Sequence, residues 1–217
     1  MKKYETTKLF WGAYLYRLSI SNQLSSSFRD KNLPFARQVL DTMQHEYEQG
    51  EPLLLQSGIR KKPVSKECFF DAKKLFNHFN KFDDYKLRIE YPNISIYTNN
   101  FEWLNAIMQD VKQSSIISLH TPDPNYINTL TEHNIIVDHD NGYQYKVTLG
   151  TAKGDVTFGQ WAINNPKLIK VGPVLLQELL NSGYVNGMYF YARDERTLQL
   201  CNLMLSNIRR IDKLVVK

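Results

Sequence analysis

One pattern occurs twice in this chain and limits the folds that the chain can adopt. The segments ISIYTNNFEWLNAIMQDV at 94–111 and GMYFYARDERTLQLCNLML at 187–205 each contain an apolar stretch, a polar corner and apolar residues at helical spacing. This order predicts a strand followed by an amphipathic helix. Another apolar stretch follows each segment and predicts a further strand. The sequence therefore predicts strand–helix–strand over 94–119 and again over 188–216.

The repeat predicts the α+β class, with two consecutive β-α-β units of ferredoxin-like flavour and mixed sheets. If the two strands of a unit are adjacent and parallel, the connection between them should be right-handed. The two copies share a tyrosine at the strand end and one leucine in the helix. Because the identities are so few, two origins stay open: an internal duplication, and a chance similarity between two ordinary β-α-β units.

A β-hairpin and two helices are predicted before the first unit. Near the N-terminus, Gly12 and Ala13 interrupt a β-rich stretch, which predicts either a tight turn between two strands or a bulge in one long strand. Apolar residues at three- and four-residue spacing then predict helices within 25–50 and 65–82.

The rest of the chain divides at its turn residues. Two prolines and a glycine predict a loop over 51–64, and alternation on both sides of Pro92 predicts a hairpin. A strand is predicted over 143–150, with helices around Trp161 and over 172–183. These elements predict three segments, 1–82, 83–140 and 141–217, or one compact domain.

Composition limits the class of protein. The 217 residues are 42% hydrophobic, which suffices for one large domain or two small ones. No run of about 18 apolar residues occurs, so no membrane span is expected. The N-terminal apolar run carries Tyr14, Tyr16 and Arg17, which a signal peptide would not. Cys68 and Cys201 form no CxxC motif and predict reduced thiols in a cytoplasmic protein, in the host cytoplasm if the chain is viral.

The balance of charge favours an acidic partner. The chain carries 27 basic and 22 acidic residues, a formal net charge of +5 at pH 7. Such a balance favours nucleic acid as a partner, although the basic residues are dispersed and only IRKKP at 59–63 forms a dense run. Thirteen tyrosines are present, several of them next to Lys or Arg in strand patterns.

These tyrosines define a candidate interface. Side chains alternate faces along a strand, so Tyr189 and Tyr191 should share one face. If that face is open, bases could stack on the rings while Lys and Arg bind phosphate, whereas helices over that face would make the rings part of the core. The candidate nucleic-acid-binding residues are Tyr143, Tyr145, Lys146, Tyr189, Tyr191, Arg193, Arg209 and Arg210.

Catalytic motifs are lacking, and no catalytic residue, metal ligand or cofactor is assigned. His and Asp side chains cluster over 120–140, but Asp140-Asn141-Gly142 favours a hydrated turn over a metal site. Asp138 precedes a Gln-x-Lys sequence that ends at Lys146, a spacing that some metal-dependent nucleases use. The glycine loop GTAKG at 150–154 could contact a phosphate, but a hairpin turn is the simpler interpretation.

The sequence thus predicts a non-enzymatic protein that binds nucleic acid, DNA or RNA, in single-stranded form. Asparagine-rich loops and abundant Tyr and Phe suggest a phage or mobile-element protein that acts in replication, transcription or their control. The first alternative is a viral protein-interaction or assembly subunit, or a host-factor inhibitor, with a protein partner or a homo-oligomer on its aromatic strands. The second alternative is a metal-dependent nuclease.

Overall fold

The computed structural model describes residues 1–57 and 60–217, which form two compact units, Met1–Pro124 and Asn125–Lys217. Ile59, the first residue of the basic run IRKKP, lies outside the described residues. Each unit has its own sheet and its own apolar core. The α+β class predicted from the sequence is confirmed.

The elements follow the chain in a regular order. The strands of the first unit are β1 (Lys2–Glu5), β2 (Tyr16–Ser21), β3 (Leu54–Ser57), β4 (Arg60–Pro63), β5 (Tyr85–Glu90), β6 (Asn93–Thr98) and β7 (Ile116–Thr121), and its helices are α1 (Leu33–Glu48), α2 (Lys66–Lys81) and α3 (Phe101–Asp110). The strands of the second unit are β8 (Asn134–Val137), β9 (Tyr145–Leu149), β10 (Ile169–Val171), β11 (Tyr189–Ala192) and β12 (Ile208–Val216), and its helices are α4 (Val156–Asn164), α5 (Pro173–Leu180) and α6 (Glu195–Met204). Short 3-10 turns cover Ser25–Lys31, Gln113–Ser115 and Pro124–Thr129.

The sheet of the first unit has the strand order β1-β7-β2-β6-β5. The pairs β7–β2, β2–β6 and β6–β5 are antiparallel, whereas β1 pairs parallel with β7 at the edge. Strand β2 therefore lies between β6 and β7, the two strands that α3 connects. These two strands are parallel but not adjacent.

The sheet of the second unit has the order β10-β11-β9-β12-β8. Strand β9 lies between β11 and β12 and is antiparallel to both, and β8 pairs parallel with β12 at the edge. The segments β6-α3-β7 and β11-α6-β12, which contain the repeated sequence pattern, thus occupy matching places in the two sheets.

The repeated helices begin and pack in the same way. The side chain of Asn100 accepts a hydrogen bond from the backbone N–H of Trp103 at 2.9 Å, and Asp194 accepts one from Thr197 at 2.8 Å. Each acceptor satisfies a backbone donor in the first helical turn, which stabilises the helix start. The leucines shared by the two copies, Leu104 and Leu198, are buried in their respective cores. The helices therefore cover one face of each sheet.

The N-terminal hairpin differs from the prediction. Strands β1 and β2 do not pair with each other, because both lie beside β7. Leu18 and Ile20 are fully buried, so β2 is a central strand whose two edges are already taken by β6 and β7. The tight turn itself is present: the N–H of Ala13 donates to the carbonyl of Phe10 at 3.0 Å, and Gly12 has a φ of 74°.

The segment 51–64 was predicted to be a loop, and this prediction is wrong for its described part. Strands β3 and β4 pair antiparallel there. Leu53 and Val64 are buried, and the N–H of Val64 donates to the carbonyl of Leu53 at 2.9 Å. Burial of both ends brings the two arms together, and Pro63 is tolerated because the ribbon has only two strands.

The sheet of the first unit combines strands from two of the predicted segments. Strands β1 and β2 come from 1–82 and strands β5 to β7 come from 83–140, yet they share one sheet.

Within the described ranges, no helix combines the length and the apolar character that a membrane span requires. Both cysteines are free thiols, and Cys201 is buried in the second core.

Candidate nucleic-acid interface

The two faces of the second sheet differ sharply. Val147, Leu149 and Phe190 point to one side and are fully buried against the helices. Side chains alternate along each strand, so Lys146 and Tyr191 point to the other side. We refer to this second side as the C-terminal open face.

The strand register places tyrosines between basic residues on this face. Directly opposed residues in neighbouring strands share a face. Tyr191 on β11 is opposed by Lys170 on β10 and by Lys146 on β9. In the next row, Tyr189 is opposed by Thr148, which is opposed by Arg210. The basic, aromatic and hydroxyl residues of the C-terminal open face are Lys146, Thr148, Lys170, Tyr189, Tyr191 and Arg210, and the acidic Asp212 is opposed to Lys146 on the same face.

Direct contacts hold the aromatic part of the face together. The ammonium of Lys146 lies 3.9 Å from the centre of the Tyr189 ring, within the range of a cation–π interaction. The rings of Tyr189 and Tyr191 meet edge to face with centroids 5.6 Å apart. Partial burial and the nearby Tyr189 hydroxyl raise the pKa of Tyr191. Tyr189 remains 45% exposed, so one ring is accessible beside a lysine.

A groove of about 510 Å³ adjoins these rings. Tyr189 and Tyr191 form one wall, and Pro173 and Val174 at the start of α5 form an apolar part of the lining. Lys170 also lines the groove, so it offers a cation beside apolar and aromatic surface. The volume of the groove lies within the range of sites that bind small organic groups.

Of the other two predicted tyrosines, Tyr145 lies on the opposite face and Tyr143 lies beside Tyr191. Tyr145 precedes Lys146 on β9 and therefore points to the opposite, helix-covered face. Its ring packs against the second core and its hydroxyl donates to Glu195 at 2.7 Å, an interaction that raises the pKa of Tyr145. Tyr143 lies before the strand with its ring 6.4 Å from that of Tyr191, and its hydroxyl donates to the carbonyl of Pro166.

The predicted arginines have different surroundings. Arg193 donates to Asp194 at 2.9 Å, and hydrogen bonds from Thr197 and Arg193 lower the pKa of Asp194 to about 2. Arg210 donates to Asp212 at 2.7 Å and to the carbonyl of Glu132. Arg209 is exposed, at a point where the β12 register shifts. Of the predicted residues, the structure therefore brings together Lys146, Tyr189 and Tyr191, with Tyr143 and Arg210 at the margin.

Sequence reasoning missed Lys170. The three-residue strand β10 lies between α4 and α5, where the sequence predicts only helices, around Trp161 and over 172–183. Lys170 alternates with the apolar Ile169 and Val171, but three residues are too few for alternation to be recognised. The signal that identifies Lys170 is its register opposite Tyr191.

The His and Asp cluster over 120–140 does not converge. Asp140 accepts a hydrogen bond from the N–H of Gly142 at 2.7 Å, as the turn interpretation predicted. Asp138 pairs with Lys217 at 2.7 Å, which lowers the pKa of Asp138, whereas Lys146 lies over Tyr189. Across the part of the chain that the structure describes, no three His, Cys, Asp or Glu side chains form a group suited to a metal ion.

His120 lies in the first unit, with its ring stacked 4.8 Å from that of Tyr4. Burial, and then the charge of Arg17, lower the pKa of His120 below its ordinary value near 6.5. The imidazole of His120 therefore binds a proton more readily in the unfolded chain than in the folded one. Acidification below pH 6.5 should reduce the free energy of unfolding. The His120→Gln variant should lose part of this dependence in urea denaturation at about pH 7.5 and about pH 5.5.

The exposed His139 provides the control for this prediction. The His139→Gln variant should keep the dependence of the wild-type protein between the same two pH values. An identical dependence in the wild-type protein and the His120→Gln variant would show that His120 does not contribute.

No protein-family model, curated protein or solved structure matches the chain. The interpretation of the open face therefore depends on its own geometry and charge.

Proposed function

We propose that the protein binds single-stranded nucleic acid on the C-terminal open face without catalysing a reaction. The observation that carries this proposal is the row Lys170–Tyr191–Lys146, in which a tyrosine lies between two lysines on neighbouring strands. Aromatic rings that receive bases, beside cations that receive phosphates, are the two components of sheet-based single-strand binding. The exposed ring of Tyr189 lies two residues along β11 from Tyr191, in the next row of the same face.

The accessible tyrosine favours a single strand over a duplex. Bases in a duplex are stacked on each other and their faces are hidden, whereas unpaired bases can stack on a protein ring. The groove beside Tyr189 and Tyr191 gives an unpaired base an apolar surface, and Lys170 in its lining offers a cation to the phosphate. Lys146 and Lys170 supply the electrostatic part of binding, since Arg210 is paired with Asp212.

Each unit is proposed to have a ferredoxin-like fold, and the two units to have arisen by duplication. The matching strand orders support this, as do the matching places of β6-α3-β7 and β11-α6-β12. The phage or mobile-element setting stays a prediction from sequence composition.

Loss of the exposed ring should weaken binding. Base stacking on an aromatic side chain contributes about 1–3 kcal/mol, so we expect Tyr189→Ala to raise the Kd for a single-stranded oligonucleotide about tenfold. Tyr184 is 68% exposed and lies outside the open face, so Tyr184→Ala is the matched control and should leave Kd unchanged. Fluorescence anisotropy with a labelled oligonucleotide of about 20 nucleotides measures both values.

Salt distinguishes this proposal from its alternatives. If about three phosphates are bound, the affinity for a single strand should fall about twentyfold between about 50 and 200 mM salt. No oligonucleotide binding at low salt would refute the proposal. Oligomers that are insensitive to salt in light scattering would then favour the assembly subunit, and cleavage with Mg²⁺ that Lys146→Ala abolishes would favour the nuclease.

A further inference from the structure

The sheet of the first unit has its own face opposite the helices. Leu18, Ile20 and Ile96 point to the core, so Arg17 and Tyr97 point to the other side. We refer to this side as the N-terminal helix-free face; Tyr97 on it is only 4% exposed, with the rings of Phe10 and Trp11 packed against it. A pocket of about 570 Å³ lies on it, with Phe10, Trp11, Arg17, Arg88, Tyr97 and His120 in its lining.

The register of this face repeats that of the second unit. Tyr97 on β6 is opposed by Lys86 on β5 and by Arg17 on β2. Tyr191 on β11 is likewise opposed by Lys170 and Lys146. In both units, therefore, a tyrosine on the strand before the repeated helix lies between two basic residues.

The fourth position of the two rows differs. Arg17 is opposed by His120 on β7, whereas Lys146 is opposed by Asp212 on β12. An imidazole thus takes the place of a carboxylate, and burial, together with the charge of Arg17, lowers the pKa of His120. The N-terminal helix-free face is therefore the more electropositive of the two at this position.

The guanidinium of Arg17 has a donor, its Nε–H, that is not used in a hydrogen bond within the described part of the chain. One Nη atom of Arg17 donates to the hydroxyl of Ser95 at 3.3 Å. Its Nε atom is buried and has no hydrogen-bond partner among the residues that the structure describes. Buried donors are nearly always paired, so an unpaired guanidinium N–H in the lining of a pocket indicates a place for an acceptor such as a phosphate oxygen.

An aromatic ring stands at the rim of the pocket. Trp11 has a φ of 56°, a conformation that is unfavourable for a bulky side chain. Its ring is 55% exposed, meets the Tyr97 ring edge to face at 6.0 Å and has the ammonium of Lys86 3.8 Å from its centre. The turn therefore holds an exposed indole beside the ammonium of Lys86, where a base could stack on it.

We propose that this pocket binds one nucleotide of single-stranded nucleic acid, with its phosphate at Arg17 and Arg88 and its base on Trp11. The inference rests on the proposed function and extends it, because it assigns the first unit a nucleotide site of its own. Arg88 pairs with the exposed Glu90 at 2.5 Å and can exchange that carboxylate for a phosphate.

Trp11 fluorescence tests the proposal with thymidine 5′-monophosphate and thymidine as probes. We expect saturable quenching by the monophosphate in the wild-type protein and none in Trp11→Phe. Because a phosphate contact should be lost in each case, thymidine and the Arg88→Gln variant should both show affinities weakened about fivefold or more. Arg37→Gln removes the same charge from an exposed position on α1, where Arg37 lies over Phe76, and should leave the affinity unchanged.

The outcomes separate this inference from the proposed function. If an oligonucleotide binds in a Tyr189-dependent manner but neither it nor the monophosphate quenches Trp11, the pocket is not a nucleotide site. Equal affinities for thymidine and its monophosphate would overturn the phosphate contact. Saturable, phosphate-dependent quenching of Trp11 without oligonucleotide binding would refute the proposed function and leave the nucleotide pocket standing.

Discussion

The substitution Gly154→Ala should destabilise the second unit by about 3 kcal/mol, at the upper end of the usual cost of overpacking. Gly154 ends the loop GTAKG and its N–H donates to the carbonyl of Gly183 at 2.7 Å. A Cβ atom at this position would lie less than 3.0 Å from backbone atoms of Glu178 and Leu179 in α5. Backbone cannot rotate aside as a side chain can, so the loop or the helix would have to move. Urea denaturation followed by circular dichroism measures the loss.

Gly172 provides the matched control for this substitution. A Cβ atom at Gly172 meets no other atom within 4 Å. Gly172→Ala should therefore change the free energy of unfolding by less than about 1 kcal/mol. If Gly154→Ala kept its full stability and lost nucleic-acid binding instead, the glycine loop would be a phosphate contact and not a packing site.

The repeated pattern predicted the parts of the fold that are governed by local periodicity. Helices α3 and α6, with their capping side chains and buried leucines, follow from residue spacing alone. The insertion of β2 between β6 and β7 does not, because strand order depends on pairing between distant residues. The alternation that marks β2 as a strand is the same whether its partner is a neighbouring hairpin arm or a strand about 75 residues away.

The candidate site was predictable to the same limited extent. Alternation correctly placed Tyr189 and Tyr191 on one face, since both lie on β11. It could not place Tyr145 relative to them, because the face of one strand relative to another is set by register. The register opposes Tyr145 to Ala192, on the helix-covered side. It also brings Lys170 and Lys86 beside a tyrosine, and neither lysine stands out in the sequence.

Removal of Arg210 should also destabilise the protein strongly. Asp212 is 1% exposed and accepts a hydrogen bond from Arg210 at 2.7 Å. Arg210→Ala would leave the carboxylate buried without this guanidinium, a change that costs about 3 kcal/mol when a buried ion pair loses one partner. The loss should appear as a lower urea midpoint. Arg209→Ala, which removes an exposed neighbour of the same charge, should cost less than about 0.5 kcal/mol.

A double variant separates the two roles that Arg210 could have. Removing Asp212 as well eliminates the buried charge, so Arg210→Ala with Asp212→Ala should lose less stability than the sum of the single variants, by about 1 kcal/mol or more. Additive losses would mean that the two side chains are not coupled. If Arg210→Ala left stability unchanged and weakened oligonucleotide binding, Arg210 would be a phosphate ligand of the C-terminal open face and its contact with Asp212 secondary.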